Sequence, residues 1–239
     1  MLLQKFTHWK VRYMQVMATT SLKVYKVSFI YVSQTFLKQL MRKQEMNKHF
    51  MIDIETLSTA VNAAVLSIGA VEFDPLSGKI LREFYHELDL SEQTNRHIDV
   101  NTMQWWVKQC LVNTDNIEFL TKPNSHKDNI DFVLVRLGAF LVGNDTHYVK
   151  RAEGYEKIAL WACDPDFDIA ILADLYKEHN LVIPWKYSEP KSVRTVRMLT
   201  QIAGMEVPHQ EANHNALDDC IRQAREVSYF IANLQHDGA

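Results

Sequence analysis

The stretch from residue 51 to 57 constrains this chain more than any other part of its sequence. Apolar Ile52 and Ile54 alternate with Asp53 and Glu55, a period of two that is typical of a β-strand. The two carboxylates therefore project from one face, where like charges in an apolar strand are unfavourable unless a cation lies between them. Carboxylate oxygens suit Mg²⁺ or Mn²⁺. The strand thus predicts a divalent-metal site, with an ordinary solvated strand face as the alternative.

Composition places the chain among ordinary globular proteins. Its 239 residues are 47% hydrophobic and 23% charged, enough for one sizeable core. No run of about 18 apolar residues occurs, so we predict no membrane span. The three cysteines, Cys110, Cys163 and Cys220, are far apart and lack metal-ligand spacing, which argues against a disulfide framework or a zinc site. This usage fits a reducing cytoplasm, the predicted location.

The charge is unevenly distributed along the chain. Residues 1–48 hold nine Lys or Arg and one acid, a local net charge of +8, whereas the remainder has a net charge of −11. The functional interpretation is a nucleic-acid arm or surface-binding segment, and the simpler one is an extension of little function. We divide the chain into a basic N-terminal extension, 1–48, of uncertain structure and a main domain, 49–239, which holds the acidic strand.

Hydrophobic patterns along the domain predict strands first and then alternating strands and helices. The first strand is followed by apolar 63–73, a turn at 74–79 and a strand over 79–88, which indicates an antiparallel meander. Further on we predict helices from Asp99 through Val107, over 129–141, 164–179, 192–203 and 214–234, a loop over 142–157 and a buried strand over 157–163. This order favours an α/β or α+β domain with a mixed central sheet.

Candidate chemistry lies in three separate segments. Asp53 and Glu55 are on the first strand, Asp168 follows the buried strand, and His214 and Asp219 begin the last helix. Four carboxylates meeting at one end of a sheet would hold two divalent ions about 3.5–4 Å apart, an arrangement that supports phosphodiester hydrolysis. A nearby histidine would accept the proton of the attacking water.

These segments resemble the three exonuclease motifs of the DEDDh superfamily. The motifs are Asp-Ile-Glu-Thr at 53–56, Phe-Asp at 167–168 and His-x-Ala-x-x-Asp at 214–219. The chain looks closest to a smaller branch, the 3′–5′ exoribonuclease-like proteins of prophages and mycobacteria. That similarity rests on 53–57, on Asn-Ala-Ala-Val-Leu-Ser-Ile-Gly-Ala at 62–70 and on Met-Gln-Trp-Trp at 103–106. It covers about residues 49–235.

The resemblance implies an α/β, RNase H-like fold with a mixed central sheet flanked by helices. It implies a 3′–5′ exonuclease that releases nucleoside 5′-monophosphates from single-stranded 3′ ends, with RNA favoured over DNA. A prophage exodeoxyribonuclease and a catalytically silent nucleic-acid- or protein-binding module are the alternatives. By the same resemblance Asp53, Glu55, Asp168 and Asp219 are ligands of two Mg²⁺ or Mn²⁺ ions, His214 is the general base, and a homodimer is expected.

Neighbouring acids compete for two of these roles. Asp218 adjoins Asp219, but Arg222 at i+4 gives Asp218 a structural partner on a helix. Asp219 instead shares a helix edge with Ala216 and Gln223, and the small Ala216 would permit close approach. Before the third acid, Asp-Pro at 164–165 has the composition of a helix cap, and Asp166 suits a first turn. Periodicity alone does not exclude Asp218, and it is the family pattern that places the ligands at Asp219 and Asp168.

Four residues are candidates for substrate contact. Thr56, through its backbone, and Leu57, through apolar packing, follow the acidic strand and would meet the terminal nucleotide. Trp105 and Trp106 lie on different helix faces, so one is expected in the core and the other on a base; we assign the base contact to Trp106. Arg194, three residues before Arg197, would neutralise a phosphate, with a solvated helix face as the alternative.

Overall fold

A five-stranded mixed sheet forms the centre of the protein in this computed structural model, which describes residues 48–143, 157–206 and 214–236. The strands are β1 (Lys48–Thr56), β2 (Val65–Phe73), β3 (Ile80–Glu87), β4 (Ile158–Ala162) and β5 (Pro190–Ser192), in the order β3-β2-β1-β4-β5. The first three form an antiparallel meander, and β4 and β5 continue the sheet in parallel with β1. The carboxyl ends of β1 and β4 therefore lie at the same edge.

Six helices accompany the sheet within the described residues. They are α1 (Val100–Val112), α2 (Asp115–Thr121), α3 (Ile130–Val142), α4 (Asp168–Glu178), α5 (Val193–Ile202) and α6 (Ala216–His236). Side chains cap several of them, as the sequence predicts for α1, where the Asp99 carboxylate accepts from the backbone N–H of Thr102 at 2.8 Å. None of the helices in these ranges is long and apolar enough to cross a bilayer.

The two faces of the sheet carry separate apolar cores. On one face Ile52 and Ile54 pack with buried residues of α3 and α4. On the other, Met51 packs with α5 and α6 through residues such as Val193 and Cys220. Because side chains alternate along β1, the acids at positions 53 and 55 share the α6 face with Met51. The position of the acids thus follows from the burial of the isoleucines.

The predicted meander, buried strand and mixed α/β architecture are confirmed. Two elements were not predicted, the short helix α2 and the three-residue strand β5, which begins at a proline and is too short to show a period. Helix α4 begins at residue 168 rather than 164, because residues 165–167 form a turn. The predicted extension, apart from Lys48, and residues 144–156 of the predicted loop lie outside the described residues.

Candidate active site

The first acidic residues of the site lie on β1. Asp53 pairs in register with Gly69 of β2, and Glu55 pairs with Ser67. Glu55 is 8% exposed although it is a carboxylate at the end of a strand. Carboxylates are rarely buried without a partner. The burial of Glu55 therefore marks this strand end as a site where acidic side chains are withdrawn from solvent.

The start of α6 brings the last predicted acid to this strand end. The side chain of Asn215 accepts from the backbone N–H groups of Leu217, at 3.0 Å, and Asp218, at 3.2 Å, and so caps the helix. This start places Asp219 in the first turn, where it is 5% exposed, whereas Asp218 is exposed. Of the two competing acids, Asp219 is therefore the one that faces the sheet.

Close packing of α6 on β2 depends on Gly69. A Cβ built at this position would lie 2.4 Å from the carbonyl carbon and oxygen of Ala216. The Cys220 thiol, one turn further along, donates to the Gly69 carbonyl oxygen at 3.3 Å. A residue without a side chain is thus required for the contact between strand and helix. The sequence shows a glycine inside an apolar strand, a signal of close backbone approach, but not what approaches it.

The third segment contributes Asp168 at the first residue of α4. This carboxylate is 3% exposed, and its Oδ2 accepts from the backbone N–H of Asp164 at 3.4 Å. Asp166 is exposed and Asp164 half-buried, so of the three neighbouring acids only Asp168 lies in the interior. The turn that delays the start of α4 directs this side chain towards the end of β1.

The pKa values of the acids report on how closely they are grouped. Burial and the neighbouring charges of Asp168, Glu55 and Asp219 raise the pKa of Asp53 well above its ordinary value. Burial, together with Asp219 and Asp168, raises the pKa of Glu55 to about 8. Burial raises the pKa of Asp168 to about 7, against the effect of hydrogen bonds from backbone N–H groups. The three separate segments therefore meet in one electrostatic cluster.

His214 lies beside this cluster. One ring nitrogen of His214 and one carboxylate oxygen each of Glu55 and Asp219 lie within 4.8 Å of one another. The backbone of His214 has φ 56°, in the left-handed region that is uncommon for histidine. Its ring stands edge-on to Trp105, with centroids 4.6 Å apart. Burial lowers the pKa of His214 despite the charge of Asp219, which favours the neutral imidazole.

Two further residues of α6 contact the acids and were not assigned a role from the sequence. The Gln223 side-chain amide donates to Oδ1 of Asp53 at 2.8 Å. The Arg222 guanidinium donates to Oδ1 of Asp219 from Nη2 at 2.8 Å and from Nε at 3.1 Å. For Gln223 the sequence did contain a signal of this contact, because it places Gln223 on the same helix edge as Asp219. Arg222 was predicted to pair with Asp218.

The donor set fits hard divalent cations. Asp53, Glu55, Asp168 and Asp219 offer carboxylate oxygens, the ligands that Mg²⁺ and Mn²⁺ prefer. The elevated pKa values of Asp53, Glu55 and Asp168 mean that the fold does not compensate these three charges. A cation among the carboxylates would relieve their repulsion and restore their ionised forms.

The predicted substrate residues Thr56 and Leu57 are engaged within the fold. Thr56 is 7% exposed, and its carbonyl oxygen accepts from the Trp106 indole N–H at 2.9 Å. Leu57 is 4% exposed, packs with Trp106 and Ala64, and its backbone N–H and carbonyl are both hydrogen-bonded within the fold. Both residues border the acidic cluster, but neither presents an open surface.

The two tryptophans divide between core and surface, as the sequence predicts, but in the other order. Trp106 is 1% exposed and contributes to the core, so it has no free ring face for a base. Trp105 is 37% exposed and lies against both Trp106 and His214. Of the two tryptophans, Trp105 rather than Trp106 is therefore the one with an exposed ring.

The two arginines of α5 also differ. The Arg197 guanidinium donates to both carboxylate oxygens of Glu226, at 2.6 and 3.2 Å, and to the Cys163 thiol. The Arg194 side chain is 69% exposed, and its Nε is 3.7 Å from Oδ2 of Asp164. Arg194 is thus the cation that extends into solvent near the α4 start.

Solved structures share this fold. Cell-death related nuclease 4 (CRN-4) is 18% identical over 80% of this chain and 65% of its own, with a TM-score of 0.53. Exonuclease I without ligand is 10% identical over 80% of this chain and 45% of its own, with a TM-score of 0.53. Exonuclease I of E. coli in complex with a 5cy-dA13 oligonucleotide is 8% identical over 79% and 40%, with a TM-score of 0.51.

The chain thus spans less than two thirds of each of these structures, which establish the RNase H-like exonuclease fold. No curated protein matches the sequence. A family model matches residues 48–231, nearly the whole of the described structure, and its description is "3'-5' exoribonuclease Rv2179c-like domain". The resemblance to an exoribonuclease-like branch is confirmed, and the chain belongs to this family of Rv2179c-like 3′–5′ exoribonuclease domains.

Proposed function

We propose that the chain is a divalent-metal-dependent 3′–5′ exonuclease that removes nucleoside 5′-monophosphates from the 3′ ends of single-stranded RNA. The observation that carries this proposal is the convergence of four carboxylates and one histidine from β1, α4 and the α6 start. Family membership supports the direction of the reaction and the preference for RNA. The oligonucleotide bound by E. coli exonuclease I supports a single-stranded nucleic acid as the ligand class.

Asp53, Glu55, Asp168 and Asp219 would hold two Mg²⁺ or Mn²⁺ ions. Such ions supply Lewis acidity, which lowers the pKa of a bound water and offsets charge on the phosphate oxygens. The residues of the chain do the rest. The fixed positions of the four acids would determine where the cations are held, and burial of the cluster would limit the access of bulk water.

His214 would accept the proton of the attacking water. A neutral imidazole is required for this role, and burial favours the neutral ring by lowering its pKa. The edge-on contact with Trp105 holds the ring beside Glu55 and Asp219. Loss of a general base lowers the rate by roughly 10²–10⁴-fold, so His214→Ala should lower kcat by that factor with little change in KM.

Trp105 and Arg194 are the proposed substrate contacts outside the cluster. The half-exposed ring of Trp105 offers a face on which a base can stack, a contact worth roughly 1–3 kcal/mol. The exposed Arg194 guanidinium would contact a backbone phosphate. Trp105→Ala should raise KM more than Trp105→Phe, and an oligonucleotide with an abasic 3′-terminal nucleotide should show no such difference.

Two 5′-labelled oligonucleotides of the same sequence, one RNA and one DNA, test the proposal. With Mg²⁺ or Mn²⁺ the wild-type protein should shorten the RNA from its 3′ end and produce a ladder of products. It should shorten the DNA more slowly. With EDTA neither oligonucleotide should be shortened. Asp53→Asn is the control for a contaminating nuclease. Faster shortening of DNA would favour the exodeoxyribonuclease alternative, and binding without shortening would favour a silent binding module.

The remaining expectations from the sequence stay predictions: a homodimer, a prophage origin, a cytoplasmic location, and the division between a basic extension and the catalytic domain.

A further inference from the structure

Two successive residues of α6 contact two acids of the candidate metal site in the same manner. Gln223 donates to Oδ1 of Asp53, and Arg222 donates twice to Oδ1 of Asp219. In the part of the chain that the structure describes, the hydrogen bonds to both carboxylates go to Oδ1. Among these contacts the Oδ2 atom of each acid accepts no hydrogen bond, so Oδ2 is the oxygen left fully available to a cation.

The amide of Gln223 is held at some cost to the fold. The residue is 2% exposed, and among the described residues its Oε1 atom has no hydrogen-bond partner. A buried polar atom without a partner destabilises a protein. An apolar residue would fill this position without that penalty. The presence of the amide is explained by its contact with Asp53.

The guanidinium of Arg222 is fixed from its other side. Its Nη1 donates to Oε1 of Glu226 at 2.8 Å, and the Glu226 carboxylate is bound in turn by Arg197. The Arg222 side chain is 14% exposed. Because the planar fork is anchored at one end, its other end sets the orientation of Asp219.

We propose that Arg222 and Gln223 are positioning residues that restrict Asp219 and Asp53 to coordination through one oxygen, and so favour Mg²⁺ or Mn²⁺ over Ca²⁺. The inference rests on the proposed metal site. Mg²⁺ requires near-octahedral geometry, whereas Ca²⁺ takes six to eight oxygens and readily binds a carboxylate through both. A carboxylate in which one oxygen already accepts a hydrogen bond is better suited to the first geometry than to the second.

Isothermal titration of Mg²⁺ and of Ca²⁺ into the full chain tests this selectivity without an activity assay. The variants are Gln223→Met, Arg222→Met and Arg222→Lys. Arg225→Met and Gln201→Met remove the same groups from exposed positions and are the matched controls. Loss of a neighbouring positive charge alone shifts the affinities for both ions together. The ratio of the two dissociation constants is therefore the diagnostic quantity.

In the Gln223 and Arg222 variants we expect the Kd for Mg²⁺ to rise by about tenfold, the lower end of the usual effect of residues behind metal ligands. The Kd for Ca²⁺ should change much less, so selectivity for Mg²⁺ falls, while the controls keep the wild-type ratio. The Arg222→Lys variant keeps the positive charge but loses the planar guanidinium that donates to Asp219 through two nitrogens. If Gln223→Met does not fold, Arg222→Lys still tests the inference. An unchanged ratio in Arg222→Lys would overturn the inference and leave the proposed function standing. Absence of binding of either ion to the wild-type protein would overturn both.

Discussion

The half-buried acid Glu226 and the buried acids Asp53, Glu55 and Asp168 form two groups whose charges the protein treats in opposite ways. Glu226 lies between two arginines, Arg197 and Arg222, which donate to both of its oxygens. In contrast, within the described residues no lysine or arginine forms an ion pair with Asp53, Glu55 or Asp168, whose pKa values are raised. The Glu226 carboxylate stabilises the fold and is neutralised by arginines of the fold. The uncompensated carboxylates are those available to bind a ligand.

Asp219 lies at the border between the two groups. It accepts from Arg222, which also binds Glu226, and it contributes to the elevated pKa values of Asp53 and Glu55. The arginine network therefore ends at the metal site rather than inside it. Helix α6 thus has two separate roles. It packs against the sheet, and it presents the Asp219 carboxylate in a fixed orientation.

The largest effect should come from neutralising one uncompensated acid. Asp53→Asn removes a metal ligand but keeps an oxygen that can accept from Gln223, so the packing is preserved. We expect nuclease activity to fall by at least about 10³-fold, since metal-assisted charge stabilisation is worth several kcal/mol. Thermal unfolding in EDTA at pH 8 should show equal or greater stability than the wild type, because repulsion is relieved. A lower Tm in EDTA would contradict the assignment of Asp53 to the uncompensated group.

Neutralising the compensated acid should have the opposite consequence. Glu226→Gln leaves two buried or half-buried guanidinium groups without their shared carboxylate, and we expect the free energy of unfolding to fall by about 2 kcal/mol. Urea denaturation in EDTA measures it. The matched control is Glu83→Gln at an exposed position of β3, which should change stability by less than about 0.5 kcal/mol. Equal effects of the two substitutions would remove the distinction between the groups.

The smallest effect concerns pH. Glu55 has an ordinary pKa of 4.5 and a folded-state pKa of about 8. An acid whose pKa is raised on folding holds its proton more tightly in the native state, so stability is present at low pH and is lost between about pH 4.5 and 8. In EDTA we expect the Tm to decrease by a few degrees from pH 5 to 8, and saturating Mg²⁺ to reverse much of that decrease at pH 8. Glu55→Gln should flatten the profile, and an equally steep profile in that variant would assign the pH dependence to other groups.

The sequence was sufficient to predict the meander and the segments that supply the acids, because both depend on short-range patterns. The alternation along residues 51–57 places the two acids of β1 on one face of the sheet. The helical period of α6 identifies the helix edge that carries Asp219. Choosing between Trp105 and Trp106 requires the rotation of α1 against the sheet, which is set by tertiary packing. A single amphipathic pattern does not specify that rotation when both candidates are aromatic.

The contacts of Arg222 and Gln223 were beyond sequence reasoning for a related reason. Helix period gives Arg222 two acidic partners, at i−4 and i+4, and Asp219 at i−3. Which of them it binds depends on how deeply α6 sits on β2. That depth is fixed by a contact between residues that are distant in the chain, at Gly69 and Ala216.

The absence of a side chain at Gly69 has a consequence for how this enzyme can vary. β2 provides none of the acids, yet a single methyl group on it would meet the backbone at the start of α6 and displace the segment that carries His214 and Asp219. Filling the gap at Gly69 would therefore disturb the packing of the core and the position of the proposed site residues together. A variant that fills it would need a compensating change in the helix, not in the strand, to regain its chemistry.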